Sequence, residues 1–254
     1  MLRRVRVISV PFFVGAPIPD LEVPEPGVVL WPELPDGTPQ QRMAVLFRHL
    51  ADRVAAEPDP VIFAGDCLSA IGVLAGLQQA GVDPTLIWFD AHGDFNTWET
   101  TPSGFLGGMP LAMIVGRGEQ SILEGAGLTP LAERRVVLVG ARDLDPGEDE
   151  ALAASELTIV SVAQMLDRDP PLGRLYVHVD VDVVDPLEMP AQNYPAPGGP
   201  SLRDVSAALA SLAATGRVAA VSFSTWNPTL PGAEQAAAAT RELAAPFLSD
   251  LAPE

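Results

Sequence analysis

Residues 85–97 read Thr-Leu-Ile-Trp-Phe-Asp-Ala-His-Gly-Asp-Phe-Asn-Thr, an apolar run followed by Asp90, His92, Asp94 and Asn96 at every second position. In an extended segment alternate side chains share a face, so these four polar groups are expected to converge where a buried strand ends. Three of them are metal-ligand types. Burying two carboxylates and an imidazole without compensation is costly, and a divalent cation would offset that cost. The plainer alternative is a strand-end turn with an Asp cap and a hydrogen-bonded core histidine.

Working outward, residues 174–184 form a second run of this kind, with Tyr176, His178, Asp180 and Asp182 on one face and Val177, Val179, Val181 and Val183 on the other. Further strands are expected at residues 3–10, 61–64, 135–140, 157–160 and 218–224. Helices are expected from Pro39 to the prolines at 58 and 60, at 68–80, around 111–115, after Glu148 to about 155, and at 162–166, 202–214 and 233–248. Residues 15–39 carry seven prolines and read as loop, as do residues 186–200. Strands alternating with helices, several apolar on both faces, describe an α/β fold: three layers, α/β/α, around a mostly parallel central sheet. No boundary divides the chain, so residues 1–254 are expected to form a single domain. Ligands gather at the carboxyl ends of such sheets. The polar clusters fall at those ends: Asp66-Cys67, Asp90 to Asn96, Asp143 to Glu148, Asp180 to Asp185 and Thr225 to Asn227.

The chain has 254 residues, 48% of them hydrophobic, and a net charge of −18. That charge argues against a nucleic-acid partner, which needs clustered cations. Fifteen arginines, Arg3, Arg4 and Arg6 among them, supply all the basic charge, because lysine is absent. Schiff-base, pyridoxal-phosphate and P-loop chemistry are thereby excluded. Cys67 is the only cysteine, which rules out an intramolecular disulfide and a thiolate zinc cluster and fits a reducing cytoplasm. The arginine-rich start is followed by too short an apolar run for a signal peptide, and no segment reaches the ~18 apolar residues of a membrane span.

Asp90, Asp94, Asp180 and Asp182 would place four carboxylates around one crevice, each raising the others' pKa. Two divalent ions would balance them. An oxygen-rich set with one imidazole suits manganese or a similar hard ion, and a pair of ions ~3.5–4 Å apart activates water for hydrolysis at neutral pH.

These residues resemble the arginase/agmatinase (ureohydrolase) family. Asp-Ala-His-Gly-Asp at 90–94 is similar to its Asp-Ala-His-x-Asp motif, and Val-Asp-Val-Asp-Val-Val-Asp-Pro at 179–186 to its second ligand motif. Ala-Gly-Asp-Cys at 64–67 resembles Gly-Gly-Asp-His, and residues 103–110 resemble Ser-Gly-Asn-x-His-Gly-Met-Pro. Gly-Gly-Pro-Ser at 198–201 and Trp-Asn-Pro at 226–228 complete the series, in family order from about residue 61. The resemblance implies that Asp90 and Asp180 bridge two Mn²⁺ ions, that Asp94 completes one site, and that His92 and Asp182 complete the other. It places Asn96 and Ser103 at positions that hold a substrate α-carboxylate, and Asp145 and Glu148 near its α-amino group. It further implies a homo-oligomer, trimeric or hexameric.

Three positions depart from the pattern. Cys67 stands where the first metal takes a histidine; a thiolate there would favour a softer ion such as zinc or iron, whereas a buried thiol would be a small core residue. Gly107 replaces a histidine that helps to shuttle protons. Thr225 replaces a glutamate that holds the guanidinium, so a charge-assisted contact is lost and free arginine is expected to be a poor substrate. The implied activity is hydrolysis of a guanidino compound at a C–N bond, giving urea or a substituted urea, with Asp94 relaying the proton. A hydroxyguanidine or an arginine inside a peptide would fit the altered pocket. The competing reading is a catalytically silent protein of the same fold with a binding or assembly role. Among the remaining polar residues, His178 is expected behind the ligands, His49 at the surface, and Asp185 in a turn.

Overall fold

The computed structural model describes residues 7–18, 21, 27–224 and 226–248. An eight-stranded parallel sheet runs through it. Its strands are β1 (Val7–Val10), β4 (Val28–Val29), β5 (Val61–Ala64), β6 (Thr85–Phe89), β7 (Val136–Val139), β8 (Thr158–Val160), β9 (Leu175–Asp180) and β10 (Val218–Ser224). The spatial order is β4-β1-β5-β10-β9-β6-β7-β8, and every neighbouring pair is parallel. The remaining two strands, β2 (Phe12–Phe13) and β3 (Ala16–Pro17), form a small antiparallel hairpin.

Side-chain alternation along the strands builds a core on each face of the sheet. On one face, Ile8, Ile62, Leu86, Trp88 and Leu138 pack against helices α1 (Pro39–Ala55), α2 (Ser69–Gln79), α3 (Pro110–Ile114) and α4 (Ser121–Ala126). On the other, Phe63, Ile87, Phe89, Val139, Val179 and Phe223 pack against α6 (Val162–Leu166), α7 (Leu202–Ala214) and α8 (Ala233–Leu248). This is the expected three-layer α/β/α arrangement, and the central strands are buried on both faces, as helix-covered parallel strands must be. Helix α5 (Pro146–Ala153) starts beside the ligand loops, with Asp145 and Glu148 forming a reciprocal capping box.

Several expectations need adjustment. Residues 15–39 are not all loop, because β3 and β4 lie there; each is only two residues long, and their pairing comes from tertiary contacts with β2 and β1. Helix α4 was not expected, being a six-residue segment too short to display a helical period. The first strand was expected from residue 3, but positions 1–6 lie outside the described residues, as does Thr225. Strand β9 ends at Asp180, and residues 181–183 form a 3₁₀ turn. Asp182 therefore reaches the site through a turn rather than by strand alternation. The same holds for residues 90–96: β6 stops at Phe89, and Asp94 sits at φ 50° in the loop that follows.

Candidate metal centre and its pocket

Strand register brings the two ligand motifs level with each other. Phe89 pairs with Val179 across β6 and β9, so Asp90 and Asp180 leave the sheet side by side. Ser224 pairs with both Asp180 and Ala64, which places Ser224 and the Gly65-Asp66-Cys67 turn beside them. Arg142 ties the two ligand loops together, donating from its backbone N–H to Ala91 O at 2.8 Å and from its guanidinium to Asp182 O at 3.1 Å and Val183 O at 3.0 Å.

The ligand atoms fall into two groups that share Asp90. One atom from each of Cys67, Asp90 and Asp180 lies within 4.8 Å of the others, and the same holds for Asp90, His92 and Asp182. In the first group the Cys67 thiol donates to Asp180 Oδ2 at 2.8 Å and lies 3.9 Å from Asp90 Oδ2. In the second, His92 Nδ1 lies 3.0 Å from Asp182 Oδ2 and 3.4 Å from Asp90 Oδ1. Asp94 is buried nearby with Oδ2 lacking any hydrogen-bond partner among the described residues. Its positive φ is held from the other side, where Leu111 and Ala112 at the start of α3 donate to its carbonyl at 2.9 and 3.2 Å.

The electrostatics show which charge this cluster attracts. Burial raises Asp180 to about 7 and Asp182 to about 6, with neighbouring carboxylates adding to the rise. Asp90 is also raised, and Asp94 lies well above the ordinary carboxylate range, in both cases first through burial. Burial would lower His92, but its hydrogen bonds to Asp182 and Asp90 push it up to about 12. Burial and the surrounding aspartates keep Cys67 a thiol, with its pKa well above the usual value. Protons on His92 and Cys67 thus stand where positive charge is needed. Four carboxylates, an imidazole, a thiol and one orphaned carboxylate oxygen fit a pair of divalent ions.

Behind Cys67 lies a buried polar column. Tyr176 Oη lies 2.6 Å from Ser222 Oγ, which lies 2.8 Å from His178 Nδ1. His178 Nε2 is 3.3 Å from Ser224 Oγ, and Ser224 donates to Cys67 Sγ at 3.1 Å. One assignment satisfies every link: Tyr176 donates to Ser222, Ser222 to His178, His178 to Ser224, Ser224 to Cys67, and Cys67 to Asp180. Full burial lowers His178 to about 3, so the imidazole in this column is neutral. Trp88 lies over the His178 ring at 4.0 Å between centroids and donates from Nε1 to Asp90 Oδ2 at 3.0 Å.

The cluster forms the floor of a cavity of about 580 Å³. Asn96, Ser103, Asp145 and Glu148 line one wall, and Phe13, Phe105 and Tyr194 line another. Asn96 Nδ2 donates to Asp145 Oδ2 at 2.9 Å, and Glu148 accepts from Phe95 N at 2.7 Å and Asp145 N at 3.3 Å. Burial raises the Glu148 pKa. Gly107 also lines the cavity. His178 is buried behind the ligands, His49 is exposed, and Asp185 accepts backbone bonds from Leu187, Gly198 and Gly199, a turn-forming role. Sequence reasoning passed over Trp88, Ser224 and the three rings. Only the place of Ser224 at a strand's carboxyl end could have marked any of them.

Comparisons with known proteins agree with this geometry. A family model described as the arginase family matches residues 20–251. Arginase from Bacillus subtilis is 34% identical over 184 residues, 67% of this chain and 62% of that protein; arginase from Schizosaccharomyces pombe is 35% identical over 187 residues, 68% and 58% of the two. Each alignment thus spans less than two thirds of the relative's length. A solved structure of arginase from Bacillus subtilis superposes with a TM-score of 0.80 at 27% identity, covering 96% of this chain and 98% of that one. A formimidoylglutamase structure, also from Bacillus subtilis, shares the fold with a TM-score of 0.72 at 15% identity, covering 97% and 86%. With a family model spanning most of its length, and both Asp-containing ligand motifs converging at the carboxyl edge of the matching fold, the chain belongs to the arginase family.

Proposed function

We propose that this chain is a metal-dependent hydrolase that cleaves a C–N bond of a guanidino compound other than free arginine, releasing urea or a substituted urea. The observation that carries the reading is the pair of ligand groups sharing Asp90, with Asp94 Oδ2 left unpartnered beside them. Cys67, Asp90 and Asp180, with Asp94 beside them, would hold one ion, and Asp90, His92 and Asp182 the other. The oxygen-and-imidazole half suits Mn²⁺, while a thiolate at Cys67 would draw zinc or iron. When bound, divalent ions would activate water as the nucleophile toward the guanidinium carbon.

The chain's own residues supply orientation and proton movement. Trp88 Nε1 and His92 N fix the two oxygens of Asp90 at 3.0 and 2.7 Å. The backbone N–H of Ala91 fixes Asp182 Oδ1 at 3.1 Å, and that of Asp182 fixes Asp180 Oδ1 at 2.9 Å. Asp94 alone keeps a buried carboxylate oxygen uncommitted, which suits it to carry a proton to the departing amine. Asn96, Ser103, Asp145 and Glu148 form the polar wall beside which the substrate would lie, and Thr225, the remaining candidate for substrate binding, lies outside the described residues. By family analogy the working form is a cytoplasmic homo-oligomer, a trimer or hexamer, which its mass in solution tests. Among the described residues no helix is long and apolar enough to cross a membrane.

The test is metal analysis of protein purified without chelator, followed by a screen of guanidino compounds for urea or substituted urea. Bound metal with turnover of at least one compound is expected. Substoichiometric metal and no turnover, unchanged by added manganese, would sink the reading.

A further inference from the structure

The cavity above the ligands is chemically lopsided. Seven of its lining residues are carboxylates (Asp66, Asp94, Asp143, Asp145, Glu148, Asp180 and Asp182), and no arginine lines it among the described residues. Since the chain has no lysine, the one basic side chain lining it among the described residues is His92, and Asp90 and Asp182 already engage that imidazole, so no free cation is offered to a substrate carboxylate. The polar wall is also turned inward. Both ends of the Asn96 amide are engaged, with Nδ2 donating to Asp145 and Oδ1 accepting from Thr100 Oγ1 at 2.9 Å. Ser103 Oγ accepts from Phe105 N at 3.2 Å, and Glu148 spends both carboxylate oxygens on backbone N–H groups. What remains for a substrate carboxylate is neutral donors only, the second Nδ2 hydrogen of Asn96 and the hydroxyl hydrogen of Ser103, which bind an anion more weakly than a cationic partner would.

Another part of the lining is aromatic and continuous. Phe105 stacks on Phe13 with centroids 6.1 Å apart and planes at 26°, and meets Tyr194 at 5.3 Å and 43°. Gly107 is what lets Phe105 stand there: a β-carbon at that position would lie 2.2 Å from Phe105 Cε1 and 2.4 Å from Cζ. The ring therefore occupies the space that a side chain at 107 would need. Phe13 reaches the pocket from the turn of the β2–β3 hairpin, whose Val14 N–H is held by Asp66 Oδ2 at 2.5 Å. With Asp94, Asp180 and Asp182 taken up as candidate metal ligands, Asp143, Asp145 and Glu148 remain to favour a cationic head, and a wall of rings recognises a flat hydrocarbon surface.

We propose that the substrate is a guanidino compound without a carboxylate, whose aryl or hydrocarbon substituent lies on the Phe13–Phe105–Tyr194 wall, with Phe105 as the residue that sets this specificity. The proposal rests on the hydrolase reading only for the guanidinium head. Titration calorimetry on metal-loaded, full-length protein tests it through binding, with 2-phenylethylguanidine, methylguanidine and arginine as probes. The phenyl compound is expected to bind at least about tenfold more tightly than the other two, the usual gain from burying an aromatic group. Phe105→Ala should abolish that difference, and Tyr194→Ala, at a half-exposed position where folding is not at stake, should reduce it severalfold. Equal affinity for all three probes, no binding of the phenyl compound, or a preference untouched by both substitutions would overturn the proposal. Urea release, followed separately, keeps the two readings apart. Ring-dependent binding without hydrolysis would sink the hydrolase and leave the pocket specificity standing. Hydrolysis of methylguanidine with no preference for the phenyl compound would do the reverse.

Discussion

The Cys67 thiol donates to Asp180 Oδ2 at 2.8 Å and accepts from Ser224 Oγ at 3.1 Å, so the one sulfur in the ligand cluster is held by hydrogen bonds on both sides. A thiol in this setting must lose its proton to bind a metal, and the surrounding carboxylates oppose that loss. Cys67→His removes the conflict by offering a neutral imidazole nitrogen. Manganese retained after dialysis should rise, with affinity gaining on the order of tenfold, as read by elemental analysis. Unchanged manganese content would show that the side chain at 67 is not a ligand.

Asp94 combines a buried oxygen without a partner and a backbone at φ 50°. Asn tolerates that backbone conformation well and carries no charge. Asp94→Asn should therefore fold normally and lower turnover of any accepted substrate by about 10²–10⁴, the usual worth of a positioned proton carrier. The metal-free variant should melt at a higher temperature than the metal-free parent near neutral pH, because burying Asn requires no uptake of a proton on folding, as burying Asp94 with its raised pKa does. A lower melting temperature would mean that Asp94 has a structural partner.

The metal-free protein should lose stability as pH rises. Asp180 titrates near 7 and Asp66 and Asp182 near 6 when folded, against an unfolded value near 3.8. Between those limits the folded state holds more protons than the unfolded one, so stability is greatest on the acid side and falls toward pH 7. His92, raised from 6.5 to about 12, extends the decline above neutrality. His178, lowered to about 3, acts in the opposite sense between 3 and 6.5, as one group against three. Melting temperatures of chelator-treated protein at pH 5, 6, 7 and 8 should decrease in that order. Metal binding, which displaces these protons, should strengthen over the same range.

The hairpin that carries Phe13 turns through Val14 at φ 47° and Gly15 at φ 74°, a pair of left-handed residues of which only the second is suited to its place. A β-branched residue at positive φ is strained. Val14→Asn should stabilise the protein by about 1 kcal/mol, measured by denaturant unfolding. Metal content should be unchanged, since the Asp66 bond reaches the backbone of residue 14 and not its side chain.

The ligand motifs were legible because a buried parallel strand is a short apolar run, and side chains placed just past its end face the crevice where ligands bind. Asp90, His92, Asp94, Asp180 and Asp182 all lie at or just past the ends of such runs; the structure groups Asp90, His92, Asp180 and Asp182 and puts Asp94 in the lining of the same cavity. The route by which they gather was not legible. Asp94 and Asp182 arrive through a left-handed residue and a 3₁₀ turn, conformations set by α3 and Arg142 from distant parts of the chain.

The sequence by itself determined the layered fold, the carboxylate-rich centre and the departure at Cys67, because apolar periodicity and ligand chemistry are local properties. Tertiary structure alone decided what surrounds them. Strand β10, last in the chain, inserts between β5 and β9, which sets Ser224 and His178 behind Cys67. The hairpin at residues 12–17 and the loop at 194 come together on Phe105, filling the space left at Gly107. Those contacts join residues tens to more than a hundred positions apart, and packing rather than pattern creates them.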